Sequence, residues 1–153
     1  MKLFIDSSLL VEYVKNTKTE LLEYLVASES DLYISSTVVS EFFFHYLAIR
    51  GGKSPLTLKV NRQIASCLKQ GEYTGFLQQF GFLEDLASVV TRAPELMQRH
   101  NLLPNDALIL ATCLHHSLPY LASYDENDFR DVCTAEGITL ISSVDEAKQL
   151  LAD

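Results

Sequence analysis

The sequence predicts an α/β fold built around a mainly parallel sheet of four or five strands. Three observations carry this prediction. Short apolar runs rich in β-forming residues alternate with segments of helical periodicity. Polar residues that can cap a helix directly follow the first two runs. The chain has 153 residues, of which 48% are hydrophobic, so it can bury the core of one domain over residues 1–153.

Two strands and three helices are predicted in the first third of the chain. In order, they are a strand over 2–5, a helix from about residue 9, a helix over 19–28, a strand over 32–34, and a helix that follows cap residues 35–37 and reaches 49. Apolar residues recur every three or four positions in the helices. Gly51 and Gly52 end the last of them, since glycine readily adopts the backbone conformation that closes a helix.

Residues 42–103 are predicted to form a helical arm within the domain, beside the sheet. Proline and glycine residues divide 53–103 into two or three helices, and residues 83–90 have a strong helical pattern. Pro104 suits the first turn of the next helix, which runs to about His116. The remaining predicted elements are a strand over 119–123, a polar loop over 125–129, a strand over 138–141 and a helix over 144–151.

Composition and short-range pattern argue against several classes of protein. The sequence has no run of about 18 apolar residues, so we expect no membrane span. A carboxylate occurs as early as Asp6, which does not fit a secretion signal. Cys67, Cys113 and Cys133 form no Cys-x-x-Cys pair, so we expect neither a disulfide framework nor structural zinc. These features favour a reducing, cytoplasmic compartment.

Acidic residues are predicted to gather at one edge of the sheet, because ligands of parallel sheets bind beyond the carboxyl ends of the strands. Asp6 follows the first strand, and Asp125 and Asp128 follow the third. Glu41 and Asp106 lie near the starts of helices. Two carboxylates about 5 Å apart repel by roughly 3 kcal/mol at an effective dielectric constant near 20, so a cluster of them needs a cation. Oxygen ligands favour Mg²⁺ or Mn²⁺, although each acid taken singly is equally explained by a helix dipole or by solvation in a loop.

Four segments of the chain carry these acids in a recognisable order. They read FIDSS at 4–8, STVVSE at 36–41, LPNDALILA at 103–111 and LASYDENDF at 121–129. Together they resemble the motifs of the PIN-domain family and, within it, the VapC-like toxins of type II toxin–antitoxin pairs. The resemblance covers essentially the whole chain. It implies a three-layer sandwich and a metal-dependent endoribonuclease that hydrolyses RNA phosphodiester bonds.

The resemblance also implies roles for individual residues. Asp6, Glu41, Asp106 and Asp125 are the expected catalytic, metal-binding acids, and Asp128 is a fifth metal ligand. The expected cofactor is Mg²⁺ or Mn²⁺, and the expected products carry 5′-phosphate and 3′-hydroxyl ends. Ser7 is a candidate contact for substrate or water, and Asn105 is interpreted as a helix cap.

The resemblance also implies two partners, and the chain differs from the family pattern at two places. The expected partners besides RNA are an antitoxin and a second copy of the chain in a homodimer. The aromatic run over residues 42–46 covers more than one helix face, so we expect part of it to face the core and the rest to form a partner or self-association surface. His45, within this run, is expected to be a packed or interface residue. Tyr124 stands where the family often has a basic or amide residue, and the enlarged central block leaves substrate and partner choice open.

Charge is distributed unevenly along the chain. The formal net charge of −8 alone argues against a broad basic surface for nucleic acid. Residues 1–41 carry −4 and residues 105–153 carry −7, whereas residues 42–104 carry +3. The basic side chains of this middle segment are candidates for facing RNA, although a solvated helix face explains them equally well. They are Arg50, Lys53, Lys59, Arg62 and Lys69.

Other functions were weighed against the nuclease. A haloacid-dehalogenase-type phosphatase needs a second aspartate two residues after the first, where Ser8 stands. A phosphorelay receiver domain needs an aspartate after a mid-chain strand, where Ser35 and Ser36 stand. The alternative that stays open is a non-catalytic PIN-like module that binds RNA or supports assembly. The sequence leaves the RNA target undetermined.

Overall fold

Five strands form one parallel sheet in this computed structural model, which describes residues 1–151 of the chain. The last two residues of the predicted 1–153 domain therefore lie outside the described part. The elements of the first third are β1 (Lys2–Ile5), α1 (Ser7–Val14), α2 (Glu20–Ala27), β2 (Asp31–Ser35) and α3 (Ser36–Gly51). The others are α4 (Pro55–Val60), α5 (Ile64–Leu68), α6 (Glu72–Leu77), β3 (Gly81–Leu83), α7 (Ala87–His100), α8 (Pro104–His115), β4 (Tyr120–Ala122), α9 (Glu126–Ala135), β5 (Thr139–Ile141) and α10 (Val144–Leu151).

The strand order, β3-β2-β1-β4-β5, determines where ligands can bind. From β1 the chain adds β2 and β3 on one side, whereas β4 and β5 extend the sheet on the other. The order therefore reverses between β1 and β4, which makes the carboxyl ends of these two strands the expected ligand crevice of the sheet. Ile5 pairs with Ala122, so Asp6 and Ser123 follow directly at that crevice.

The burial of β1 shows that both faces of the sheet are covered. Successive side chains of a strand point to opposite faces, and Leu3, Phe4 and Ile5 are all fully buried. Helices therefore pack on both sides, and the predicted three-layer α/β sandwich is confirmed. Within residues 1–151, every helix is too short or too polar to cross a bilayer.

The segment 53–103 differs from the prediction, because it contains four helices and a strand. β3 pairs with β2 and forms an edge of the sheet, although Leu83 was expected to start a helix. A three-residue strand is too short to display a period of two, so the sequence pattern could not reveal it. Gly81 lacks a side chain where the Tyr33 ring packs; an added Cβ would lie 2.7 Å from that ring.

Two further boundaries were wrong for physical reasons. Pro94 was expected to separate helices but lies inside α7, whose residues Val89, Ala93 and Leu96 are buried. This burial compensates for the backbone hydrogen bond that proline cannot donate. The predicted polar loop at 125–129 is the start of α9, because carboxylates in a first turn interact favourably with the helix dipole.

The aromatic run of α3 is largely covered by the same chain. Phe42 and Tyr46 are buried, and the Phe43 ring lies 5.2 Å from that of Tyr73 on α6. The prediction that part of this surface faces the core is therefore confirmed by Phe42 and Tyr46, whereas a partner or self-association surface on the rest stays a prediction. Phe44 is 58% exposed and is the one aromatic side chain of the run that could still serve a partner.

Candidate active site

The five predicted acids converge where β1 and β4 end. Asp6 is the N-cap of α1 and Asp125 the N-cap of α9. The carboxyl groups of the other four acids raise the pKa of Asp106, so all five lie close enough to interact. These four are Asp6, Glu41, Asp125 and Asp128. Residues from four distant parts of the sequence thus meet at the crevice of the sheet. Their individual roles stay predictions.

Asp6 is held rigidly by two serines. Its side chain is 4% exposed, and Oδ2 accepts hydrogen bonds from Ser8 Oγ at 2.6 Å and from Ser123 Oγ at 2.7 Å. The Ser8 backbone N–H donates to the same oxygen at 3.3 Å. Burial raises the pKa of Asp6, although these hydrogen bonds counteract the shift. No donor from residues 1–151 reaches Oδ1, which leaves that oxygen for another ligand.

The same two serines fix the segment that carries Asp125. Ser8 Oγ accepts from the Tyr124 backbone N–H and Ser123 Oγ accepts from the Asp125 backbone N–H, both at 3.0 Å. Each hydroxyl therefore connects the segment after β4 to the Asp6 carboxylate. No function was predicted for Ser8 or Ser123. The available signal was that hydroxyl residues accompany the acids at the ends of both strands.

Glu41 is oriented by donors from two other helices. Ser7 Oγ donates to Oε2 and Asn105 Nδ2 donates to Oε1, both at 2.8 Å. Ser7 therefore positions a catalytic candidate, whereas its predicted contact with substrate or water stays a prediction. The interpretation of Asn105 as a helix cap was wrong. The N-cap of α8 is Leu103, and this leaves the Asn105 amide available to Glu41.

Asp106 carries a large electrostatic penalty in the cluster. Burial first, and then repulsion from the other acids, raises the pKa of its carboxyl group from 3.8 to about 7. The pKa of Asp125 is also raised, first by burial and then by Asp6 and Asp128. A bound cation stabilises such a cluster, because its positive charge offsets the repulsion between the carboxylates.

The donor set suits a hard divalent cation. Asp6, Glu41, Asp106, Asp125 and Asp128 offer carboxylate oxygens, the ligands that Mg²⁺ and Mn²⁺ prefer. Within residues 1–151, no three carboxylate, imidazole or thiol side chains are close enough together to form a ready-made metal site. Completing a ligand set therefore needs side-chain movement. The carboxylate oxygens suit such a cation. The repulsion that raises the pKa of Asp106 favours its binding, because the cation would relieve that repulsion.

A polar groove extends from the acids along α1. Its volume is about 360 Å³, and besides Glu41 and Asp125 it is lined by Lys15, Lys18 and His45. His45 was expected to be a packed or interface residue. It is exposed rather than packed, and it lies on the same face of α3 as Glu41, four residues earlier. That spacing could have revealed it. The two lysines were also missed, since they follow the apolar pattern of α1 without a motif of their own.

The basic residues predicted to face RNA lie on or near α3, α4 and α5. Arg50 forms an ion pair with Glu72 at 3.1 Å, and its guanidinium lies 5.3 Å from the centre of the Tyr46 ring. The remaining candidates, Lys53, Lys59, Arg62 and Lys69, are exposed. Arg50 thus has a structural role in attaching α6 to α3. Contact of any of the five with RNA stays a prediction.

Fold and site together define an α/β sandwich protein with a carboxylate-lined crevice at the carboxyl edge of its sheet. The sequence matches the PIN domain family over residues 3–135. The chain therefore belongs to the PIN domain family, which confirms the resemblance drawn from its four acidic segments.

Relatives with similar sequences come from Methanocaldococcus jannaschii. The chain is 32% identical to ribonuclease VapC6 over 140 residues, covering 84% of this chain and 91% of the relative. It is 29% identical to ribonuclease VapC2 over 133 residues, covering 86% and 89%. A toxin–antitoxin complex from Klebsiella pneumoniae has the same fold, with a TM-score of 0.62, 19% identity, and coverage of 91% of this chain and 95% of that chain.

Proposed function

We propose that this protein is a divalent-metal-dependent endoribonuclease and the toxin of a toxin–antitoxin pair. The observation that carries the proposal is the convergence of Asp6, Glu41, Asp106 and Asp125, which raises the pKa of Asp106 to about 7. Membership of the PIN domain family and similarity to two proteins named as ribonucleases support RNA as the substrate.

The proposed cofactor is Mg²⁺ or Mn²⁺, held by these four acids and Asp128. When bound, such a cation lowers the pKa of a coordinated water and offsets the negative charge of the reacting phosphate. The protein contributes by orienting the acids. Ser8 and Ser123 hold Asp6 through Oδ2, which leaves Oδ1 available to a ligand. Asp6 and Glu41, which are already hydrogen-bonded in place, lose little freedom when they bind a ligand, whereas the other acids must move to complete the site.

Cleavage of RNA by the purified protein tests this proposal. We expect an end-labelled single-stranded RNA to be cut in Mg²⁺ or Mn²⁺ and to stay intact in excess chelator. The Asp6→Asn/Asp106→Asn double variant is expected to be at least about 100-fold slower, because it removes two ligand charges. Asp131→Asn, on the exposed face of α9, is the matched control and should cut like the wild type.

Two outcomes count against the nuclease. Equal cleavage by the double variant would contradict the assignment of the site. Tight RNA binding by the wild type without cleavage in any divalent metal would support the non-catalytic RNA-binding module instead. Mapping the ends of the products adds a further check, because we expect 5′-phosphate and 3′-hydroxyl groups.

The proposed partners are an antitoxin and a second copy of the chain. Similarity to proteins of the VapC series and to the fold found in a toxin–antitoxin complex supports the antitoxin. The homodimer is supported by large apolar side chains exposed on α3 and α4, namely Phe44, Leu56 and Val60. We further propose a single domain that acts in the cytoplasm, in which the predicted arm at 42–103 is partly built into the sandwich, because β3 joins the sheet.

A further inference from the structure

The polar groove beside the acids has features of a binding site for nucleic acid. Its lining includes the acids Glu41 and Asp125 together with Lys15, Lys18 and Tyr124. We propose that Lys15, Lys18 and Tyr124 form a subsite for the phosphate backbone of single-stranded RNA next to the acids. This inference rests on the proposed function, because it concerns how the same substrate is held.

Charge is the first argument for this subsite. The chain carries a formal net charge of −8, and the acids repel phosphate groups. Lys15 and Lys18 are the two lysine or arginine side chains among the residues lining the groove, and both are exposed. An RNA strand that reaches the acids along this groove therefore meets two ammonium groups. Ammonium groups form charge-assisted hydrogen bonds with phosphate oxygens.

The turn that carries the lysines is fixed by its neighbours, which is the second argument. Glu12 forms an ion pair with Lys15 at 3.1 Å, and its side chain also accepts a hydrogen bond from Thr17 Oγ1. The same hydroxyl donates to the Glu12 backbone carbonyl at 3.2 Å. A turn that is already ordered loses less conformational entropy when a ligand binds.

Tyr124 connects this turn to the acids. Its hydroxyl donates to the Lys18 carbonyl at 3.3 Å, and the Lys18 ammonium lies 5.1 Å from the centre of its ring. Its backbone N–H donates to Ser8 Oγ, the hydroxyl that binds Asp6. The lysine turn and the buried acid are thus joined through one residue, so a phosphate held at the lysines has a defined position relative to the acids.

The size of the groove favours a single strand over a duplex. Its volume of about 360 Å³ is at the small end of the range for pockets that hold one small ligand. The groove lies between α1, α3 and the residue pair Tyr124–Asp125. A strand with unpaired bases can enter such a space one nucleotide at a time, whereas a duplex presents both strands together.

Binding of a fluorescent single-stranded RNA, measured by anisotropy in chelator, tests the subsite separately from cleavage. All proteins carry Asp106→Asn so that the RNA stays intact. Adding Lys15→Gln and Lys18→Gln is expected to weaken binding about tenfold or more. It should also reduce the slope of log K against log salt concentration by about 1.4, since each phosphate contact of a single strand contributes about 0.7.

Three controls make the result decisive. Lys2→Gln removes a lysine at the opposite end of β1 and should change neither affinity nor slope. Lys15→Arg/Lys18→Arg keeps the charge and should retain binding. The same RNA annealed to its complementary strand should bind more weakly than the single strand. An unchanged affinity and slope in the glutamine variant, an equal effect of Lys2→Gln, or equal binding of the duplex would overturn the subsite.

The two proposals fail in different ways. If wild-type protein never cuts RNA but the lysine variant still loses binding, the nuclease is wrong and the subsite stands. If the wild type cuts RNA but adding Lys15→Gln and Lys18→Gln to Asp106→Asn leaves RNA binding unchanged, the subsite is wrong and the nuclease stands.

Discussion

Replacing Asp106 with asparagine is expected to lower RNA cleavage at least about 100-fold while making the folded protein more stable near neutral pH. The two effects share one cause. Burial and the neighbouring acids raise the pKa of Asp106 from 3.8 to about 7, so its negative charge is unfavourable in the folded state. Asparagine has nearly the same shape without that charge. The variant should therefore gain about 2 kcal/mol after allowance for solvent screening, or about 5 °C in melting temperature.

The pH dependence of this gain follows from the direction of the pKa shift. Between pH 4 and pH 7 the folded protein keeps a proton on Asp106 that the unfolded chain has lost. Raising the pH through this window therefore destabilises the wild type relative to the variant. The difference in unfolding free energy should widen up to about pH 7 and level off above it. Denaturant unfolding from pH 5 to pH 8 measures this difference.

A matched variant separates the effect from a general change in charge. Asp131→Asn also removes one carboxylate, but from an exposed position on α9. It should leave the cleavage rate unchanged and the free energy of unfolding within about 0.5 kcal/mol of the wild type at every pH. If Asp106→Asn is less stable than the wild type at pH 8, the proposed repulsion among the acids is contradicted. Added Mg²⁺ should stabilise the wild type more than Asp106→Asn, because the wild type binds it more tightly.

Removing the two hydroxyls that hold Asp6 is expected to cause the largest loss of stability. Ser8→Ala combined with Ser123→Ala leaves a buried carboxylate without its two side-chain donors. A hydrogen bond to a charged group contributes about 1.5–3 kcal/mol, so the double variant should lose about 4 kcal/mol at pH 8. Cleavage should also fall, because Asp6 and the segment carrying Asp125 are no longer held in register.

The loss should be smaller at low pH, which distinguishes it from simple loss of packing. Without its donors Asp6 is more easily protonated, so the pKa of Asp6, already raised by burial, rises further. The destabilisation is therefore expected to be larger where Asp6 is ionised in both proteins than where both keep its proton, as urea unfolding over a pH series can measure. Ser66→Ala, which removes only an exposed bond to a backbone carbonyl, is the control. A loss that does not change with pH would contradict this account of Asp6.

Local patterns allowed the central elements of the fold to be predicted from the sequence. The apolar run of β1 and the polar residues after it predicted both a buried strand and Asp6 at its carboxyl end. Helical periodicity predicted α3, and Pro104 predicted the start of α8. β3 and the start of α9 were missed, because three residues show no period and a run of acids reads as a loop.

The arrangement within the site was less accessible, because it depends on contacts between distant residues. Ser123 donates to Asp6 across 117 positions, and Asn105 donates to Glu41 across 64. A single sequence contains no pattern at such separations. His45 is different, since its position four residues after Glu41 already placed it on the same helix face. The acids were predictable by position, whereas the groups that orient them were not.

The pairing of β1 with β4 has a consequence for protein synthesis. Asp6 is translated before the strand that it needs, because its backbone N–H binds the Ala122 carbonyl and its carboxylate receives the Ser123 hydroxyl. The five acids therefore cannot all be in place until residues 125–128 have been translated and have emerged from the ribosome. A chain truncated before that point has Asp6 without the strand that completes its surroundings. The crevice is thus completed only after the whole segment from β1 to β4 is available to fold.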